Sequence, residues 1–161
     1  MFCKTVICTV FLTAFALSAG AQTNINLGGM AVDTGATIEI TSDSLSIDQD
    51  TGTAIFLGDV LIGQGDLRIS AAQVEVAYGS DTSQIARLIA SGNVTFVTAQ
   101  DAAEAETADY NVETGMLTLT GDVLLTQGGS AISAQSMIVN VNDGTATMQG
   151  RVRTVLQQGG N

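Results

Sequence analysis

The 161-residue sequence predicts an all-β protein built from repeated long antiparallel hairpins, and three observations carry that expectation. The chain writes one stretch twice. Gly58-Asp59-Val60-Leu61 through Ala71 returns 63 positions later as Gly121-Asp122-Val123-Leu124 through Ala134, and 51–76 against 114–139 gives 12 identities in 26 positions. Apolar and polar residues alternate along both copies, the period of a strand with one buried face. Turn signals stand at Asp50-Thr51-Gly52, Gly79-Ser80-Asp81, Glu113-Thr114-Gly115 and Asn142-Asp143-Gly144, where Gly, Asn and Asp tolerate the φ values of tight turns. Shorter echoes at Gly92-Asn93-Val94 and Gly150-Arg151-Val152 space the Gly-x-Val signal by 34, 29 and 29 residues. A unit of about 30 residues is too long for one rung of a β-helix and suits a hairpin of two strands.

Taken in order, residues 1–21 read as a cleaved signal peptide. Lys4 supplies the positive start, Thr5 to Leu17 is an apolar run of 13 residues, and Ala19-Gly20-Ala21 is a small-x-small cleavage site. Such a run is too short to span a bilayer core, which takes roughly 20 residues. Residues 22–36 carry Gly, Asn and Thr without a period and read as a flexible entry. The folded domain is expected over 37–157, opening on the alternating Thr37-Ile38-Glu39-Ile40-Thr41, with a flexible tail at 158–161.

Composition removes whole classes of chemistry. Both cysteines, Cys3 and Cys8, fall inside the signal, and there is no His, Trp or Pro. No disulfide, thiolate site or histidine base is therefore offered by the mature chain. Without Lys4 the cations are Arg68, Arg87, Arg151 and Arg153 against 16 carboxylates, a net charge of 4 − 16 = −12. That surface repels nucleic acid and anionic headgroups.

The second copy of the repeat settles which way side chains point. Leu117, Leu119, Gly121, Val123 and Leu125 share one face, while Thr118, Thr120 and Asp122 share the other. By the 63-residue shift, Phe56, Gly58, Val60 and Ile62 face inward and Asp59 outward. Leu67 and Ile69 continue the inward set, after which the phase slips at Ala71-Ala72, so that Val74 and Val76 take it over. A second slip follows Ala134, with Met137, Val139 and Val141 inward; a one-residue slip reads as a bulge or corner. The Ala/Glu-rich Ala99 to Ala108 lacks a helical stripe and reads as a loop running into a strand. An interior of Ile, Val, Leu and Met is what an ordinary sandwich core shows, but the strands offer only Phe56, Phe96, Tyr78 and Tyr110 as large rings, which leaves room for a groove.

The ordered set Thr-Gly-x3-Phe-x-Gly-Asp-Val, Gln-Gly-x-Leu-x-Ile-x-Ala from Thr51 to Ala71 resembles the OstA-type repeat of the LptA family of periplasmic lipopolysaccharide-transport proteins. The likeness runs from about Ile38 to Leu156. It implies an antiparallel β-jellyroll opened like a taco, and an apolar groove that shields the acyl chains of lipid A in the periplasm. It implies end-to-end homo-oligomers bridging an inner-membrane LptC-like and an outer-membrane LptD-like partner, with no catalysis and no cofactor. On the parity above, the groove residues would be Phe56, Val60, Ile62, Val74, Val76, Phe96, Leu119, Val123, Leu125, Met137 and Val139. Ile38 and Ile40 on the first strand and Arg151 and Arg153 on the last would form the protomer edges, with Asp33, Glu39, Asp43, Asp48 and Asp50 crowding the first one.

Rival readings are weaker. Glu104 and Glu106 point the same way on an extended chain, with nothing to separate them into acid and base. Asp48-Gln49-Asp50-Thr51-Gly52 lacks the remaining ligands of a calcium loop and reads as a turn. A structural or adhesive β-repeat protein without a lipid ligand is the remaining alternative.

Overall fold

The computed structural model describes residues 33, 35–79 and 84–156 together with the backbone of 23–26. The expected signal peptide and the 158–161 tail lie outside the described residues. All regular structure among the described residues is strand: β1 (Thr23–Asn26), β2 (Ile38–Thr41), β3 (Ser44–Asp48), β4 (Thr53–Gln64), β5 (Leu67–Tyr78), β6 (Ile85–Val97), β7 (Asp101–Asn111), β8 (Met116–Gln127), β9 (Ser130–Asn140), β10 (Thr145–Gln149) and β11 (Arg153–Val155). They form one antiparallel sheet in the order β1-β10-β9-β8-β7-β6-β5-β4-β2, with β3 also on β4 and β11 also on β9.

A crease crosses this sheet, and the repeated Gly-x-Val motif builds it. Gly58-Asp59, Gly92-Asn93, Gly121-Asp122 and Gly150-Arg151 all have positive φ, 80 and 42°, 82 and 49°, 86 and 41°, and 80 and 47°. Each of the first three pairs interrupts the ladder of its strand, and the last separates β10 from β11. Successive left-handed residues produce a bulge that bends a strand sharply. Opposite the bulges lie Asp43, Ala72, Glu106 and Gln135, whose side chains cover the four glycines. The main-chain N–H groups of Asp43 and Gln135 donate to the carbonyls of Gly58 and Gly150, at 3.0 and 2.9 Å.

The crease explains strand length. β4 to β9 run 11 to 13 residues because they cross it, whereas β2 with β3, and β10 with β11, are long strands broken at it. Each crossing strand thus has two arms. One arm contains 53–57, 73–78, 85–91, 107–111, 116–120 and 136–140; the other contains 60–64, 67–71, 94–97, 101–105, 123–127 and 130–134.

The arms cover each other. Inner-face residues from both, such as Val76 and Met137 on the first and Val123 and Leu125 on the second, have no solvent exposure and belong to one cluster. The Tyr110 hydroxyl, on the first arm of β7, donates to Gln64 Oε1 on the second arm of β4 at 3.4 Å, although β5 and β6 separate those strands in the sheet.

Four readings change. The stretch Ala99 to Ala108, expected to begin as a loop, is strand from Asp101 onward: Ala103, Ala105 and Ala108 are buried, and alanine is too weakly apolar to make that pattern legible. Gly58 and Gly121 do not face inward; a Cβ on either would meet the side chain of Asp43 or Glu106, because the left-handed backbone rotates the position out of the strand's alternation. Not all strands are long, since four of the five short ones serve a single arm at the ends of the sheet and β1 is a further edge strand. Within the entry segment read as flexible, Thr23–Asn26 forms a strand on β10; main-chain pairing at an edge requires no apolar period.

Candidate functional site

The aliphatic interior is the site that the sequence pointed to. Of the eleven residues assigned to it, Val60, Ile62, Phe96, Val123 and Leu125 line the second arm, and Val74, Val76, Leu119, Met137 and Val139 the first; all ten are buried in one cluster. Phe56 is half-buried and packs against that cluster. Leu67 and Leu117, read as inward-facing but outside that set of eleven, and Met148, left unassigned by the sequence, belong to it equally. The slot is shut to solvent, with Phe96 its largest fully buried side chain at 1% exposure.

One lip of this slot is polar. At the tip of the second arm, one position beyond Ile62, Phe96, Ala103 and Leu125, the inward parity passes to Gln64, Thr98, Asp101 and Gln127. Gln64 is in register with Leu67, and Asp101 with Gln127. The buried polar side chains among the described residues are Gln64, Thr98 and Asp101, all on this row. Two of the three are bonded: Gln64 Nε2 donates to the Ala36 carbonyl at 3.3 Å while its Oε1 accepts from Tyr110. Thr98 Oγ1 accepts from the Asp101 main-chain N–H at 3.2 Å. Both carboxylate oxygens of Asp101 lack a hydrogen-bond partner among the described residues. The opposing tip is apolar apart from the Tyr110 hydroxyl, with Val76, Tyr110, Leu117 and Val141 buried.

Burial pushes the Tyr110 phenol above its ordinary value. The neutral phenol is favoured by folding, so its contribution to stability is complete below about pH 10 and is lost as pH rises through the raised value. Tyr110→Phe should cost about 1 kcal/mol at neutral pH through the lost bond to Gln64, and should soften the alkaline decline. Urea titrations at pH 7 and at about pH 11 check both.

The sheet's two ends differ in charge. At one, Ile38 and Ile40 of β2 are half-buried against the core, while Leu45 and Ile47 of β3 are exposed at 50 and 64%. Asp33, Glu39, Asp43, Asp48 and Asp50 are exposed around them. The Asp48 carboxylate accepts the N–H groups of Thr51 and Asp50, at 3.3 and 2.9 Å, which hold it below its usual range. At the other end Arg151 and Arg153 are exposed beside Val155 and Leu156. Arg87, between the ends, pairs with Asp109 across β6 and β7, its Nε at 2.7 Å from Oδ1, and the bonded carboxylate raises the guanidinium further. Arg68 turns back on the carbonyls of Gly65 and Leu67. Glu104 and Glu106 are exposed, and no cluster of three metal-binding side chains occurs among the described residues.

A single antiparallel sheet folded over an aliphatic slot, with two unlike edges, defines the β-jellyroll, or β-taco, class of fold. The chain belongs to the LptA/LptD N-terminal domain family of lipopolysaccharide (LPS) transport proteins, whose model matches residues 39–155. Its structure is similar to the crystal structure of LptH, the LptA homologous periplasmic component of the conserved lipopolysaccharide transport device from Pseudomonas aeruginosa. The TM-score is 0.71 at 16% identity, covering 79% of this chain and 99% of that one. At that identity the likeness speaks for the fold. No curated protein matches. No helix among the described residues is long and apolar enough to cross a membrane.

Proposed function

We propose that this chain is a periplasmic carrier that binds lipopolysaccharide by its lipid A acyl chains in the slot and passes it along an end-to-end assembly between the two membranes. The observation that carries this reading is the slot: two arms of Val, Ile, Leu, Met and Phe with no charged side chain buried below the polar lip among the described residues. Each methylene withdrawn from water contributes about 0.8 kcal/mol, so tails are held without any polar contact. Interchangeable aliphatic walls make that energy nearly uniform along the slot, which lets a tail slide. Entry requires the arms to part about the crease, with tails replacing the contacts that each arm makes with the other. A carrier of this kind needs no catalytic residue.

Photo-crosslinking tests the assignment. Probes at Val60, Ile62, Val123 and Leu125 should capture lipopolysaccharide, whereas probes at the exposed Asp59 and Asp122 should not. Equal capture from both sets would sink it.

Assembly is supported by the edges. The acidic end carries exposed Leu45 and Ile47, and the basic end exposed Val155 and Leu156, so apolar contact and opposite charge coincide when one protomer follows another. The partners would be further copies of this chain and, at the termini, an LptC-like protein of the inner membrane and an LptD-like protein of the outer membrane. Reversing both arginines, Arg151→Glu with Arg153→Glu, should shift light-scattering mass toward monomer in low salt. An unchanged oligomer distribution would remove charge from the docking account.

A further inference from the structure

We infer that Asp101 is a head-group acceptor: its carboxylate takes hydrogen bonds from hydroxyl or amide N–H donors that an amphiphile carries immediately above its acyl chains. This inference rests on the carrier reading and specifies what the mouth of the slot recognises.

Three observations meet at this residue. Asp101 is 2% exposed, yet neither carboxylate oxygen has a hydrogen-bond partner among the described residues. An ionised carboxylate accepts only, and holding it away from water without a donor is unfavourable. Its neighbours do not relieve it, since the Thr98 hydroxyl is committed to the Asp101 main chain, accepting its N–H and donating to its carbonyl at 3.4 Å. Asp101 also has the inward parity of Ala103 and Ala105, so it stands over the slot, one position above the apolar pair Ala103 and Leu125. Finally, the row is more polar on this arm: Gln64, Thr98, Asp101 and Gln127 stand opposite a tip of Val76, Tyr110, Leu117 and Val141, whose one polar side-chain group, the Tyr110 hydroxyl, is already bonded to Gln64.

A lip that is polar on one side and apolar on the other fits the junction where an acyl chain meets its head. The chemistry favours neutral donors over a metal ion. Asp101 is the one carboxylate on the row, and no group of three potential metal ligands occurs among the described residues. Hydroxyls and amides can each use one of the four lone-pair directions of the carboxylate without a further charge to balance.

The test compares the mature chain with Asp101→Leu and Asp101→Asn by titration calorimetry against two probes. One is lipopolysaccharide, which has hydroxyl and amide donors next to its chains. The other is a short-chain diacyl phosphatidylcholine, which has neither. The expected result for Asp101→Leu is about a tenfold loss of affinity for lipopolysaccharide, with phosphatidylcholine binding unchanged and an unliganded Tm that holds or rises. Asp101→Asn, which keeps one acceptor, should fall between. Lipopolysaccharide binding as tight as in the unaltered chain would overturn the inference, as would parallel loss of both probes or a fall in Tm, which would make Asp101 a structural residue. If the unaltered chain binds neither probe, the carrier reading itself fails and takes this inference with it.

Discussion

Gly92→Val should destabilise the protein by about 4 kcal/mol, while Gly128→Val should cost about half as much. Both glycines have positive φ, 82 and 56°, so both valines would be strained by the backbone. They differ in surroundings. A Cβ at Gly92 would lie 2.8 Å from the Cβ of Ala72, a stub that cannot rotate away, whereas at Gly128 nothing lies within 4 Å. The difference between the two variants therefore isolates the close approach of β5 and β6 at the crease from the cost of the left-handed backbone. Urea unfolding with an unchanged m-value is the measurement. Equal losses would mean that the crease is loosely packed and that only φ matters there. A loss of this size is a large share of the roughly 5–15 kcal/mol that a domain possesses.

Phe96→Ala should remove about 3–5 kcal/mol in the absence of lipid, because it empties the largest fully buried side chain of the slot. Saturating lipopolysaccharide should shrink that deficit. Tail methylenes brought against the vacated wall recover part of the lost burial, at about 0.8 kcal/mol each, and binding to the folded state adds its own stabilisation. A shortfall that is the same with and without lipid would show that tails do not reach Phe96, and would confine them to the part of the slot nearer the lip. The comparison separates a residue that merely packs the fold from one that meets the cargo.

Much of the interior was legible because the chain states it twice. Val60 and Ile62 sit among neighbours apolar on both parities, and only the copy at Val123 and Leu125 shows which set is buried. The slips at Ala71-Ala72 and Ala134 were visible too, since Val74 and Met137 break the alternation. The crease itself was not. Glycine has no side chain to reveal its direction, so counting along the strand puts Gly58 and Gly121 on the inner face, and the left-handed φ of Asp59 and Asp122 carries no signature in the alternation. Alanine hid β7 for a related reason: Ala103, Ala105 and Ala108 bury too little surface to stand out from Glu104 and Glu106. Asp101 has no signature in the sequence, because a carboxylate at the start of a strand looks like any turn residue until its burial is known. The exposure of Leu45, Ile47, Val155 and Leu156 is a property of the sheet's ends, which depend on strand order rather than local pattern.

The four bulges also bear on how a chain with two similar hairpins avoids mispairing. A repeat invites strand exchange between its copies, and a one-residue slip would turn every side chain inside out. Each glycine, however, is covered by a different residue: Asp43 over Gly58, Ala72 over Gly92, Glu106 over Gly121 and Gln135 over Gly150. A strand that slid, or that met the wrong copy, would bring a bulge against a regular segment or beneath a side chain of the wrong length. The six crossing strands also pair in sequence order, which keeps their contacts local and the correct partner nearest during folding. The crease is thus a register key, with one wrong alignment penalised at every bulge that it misplaces.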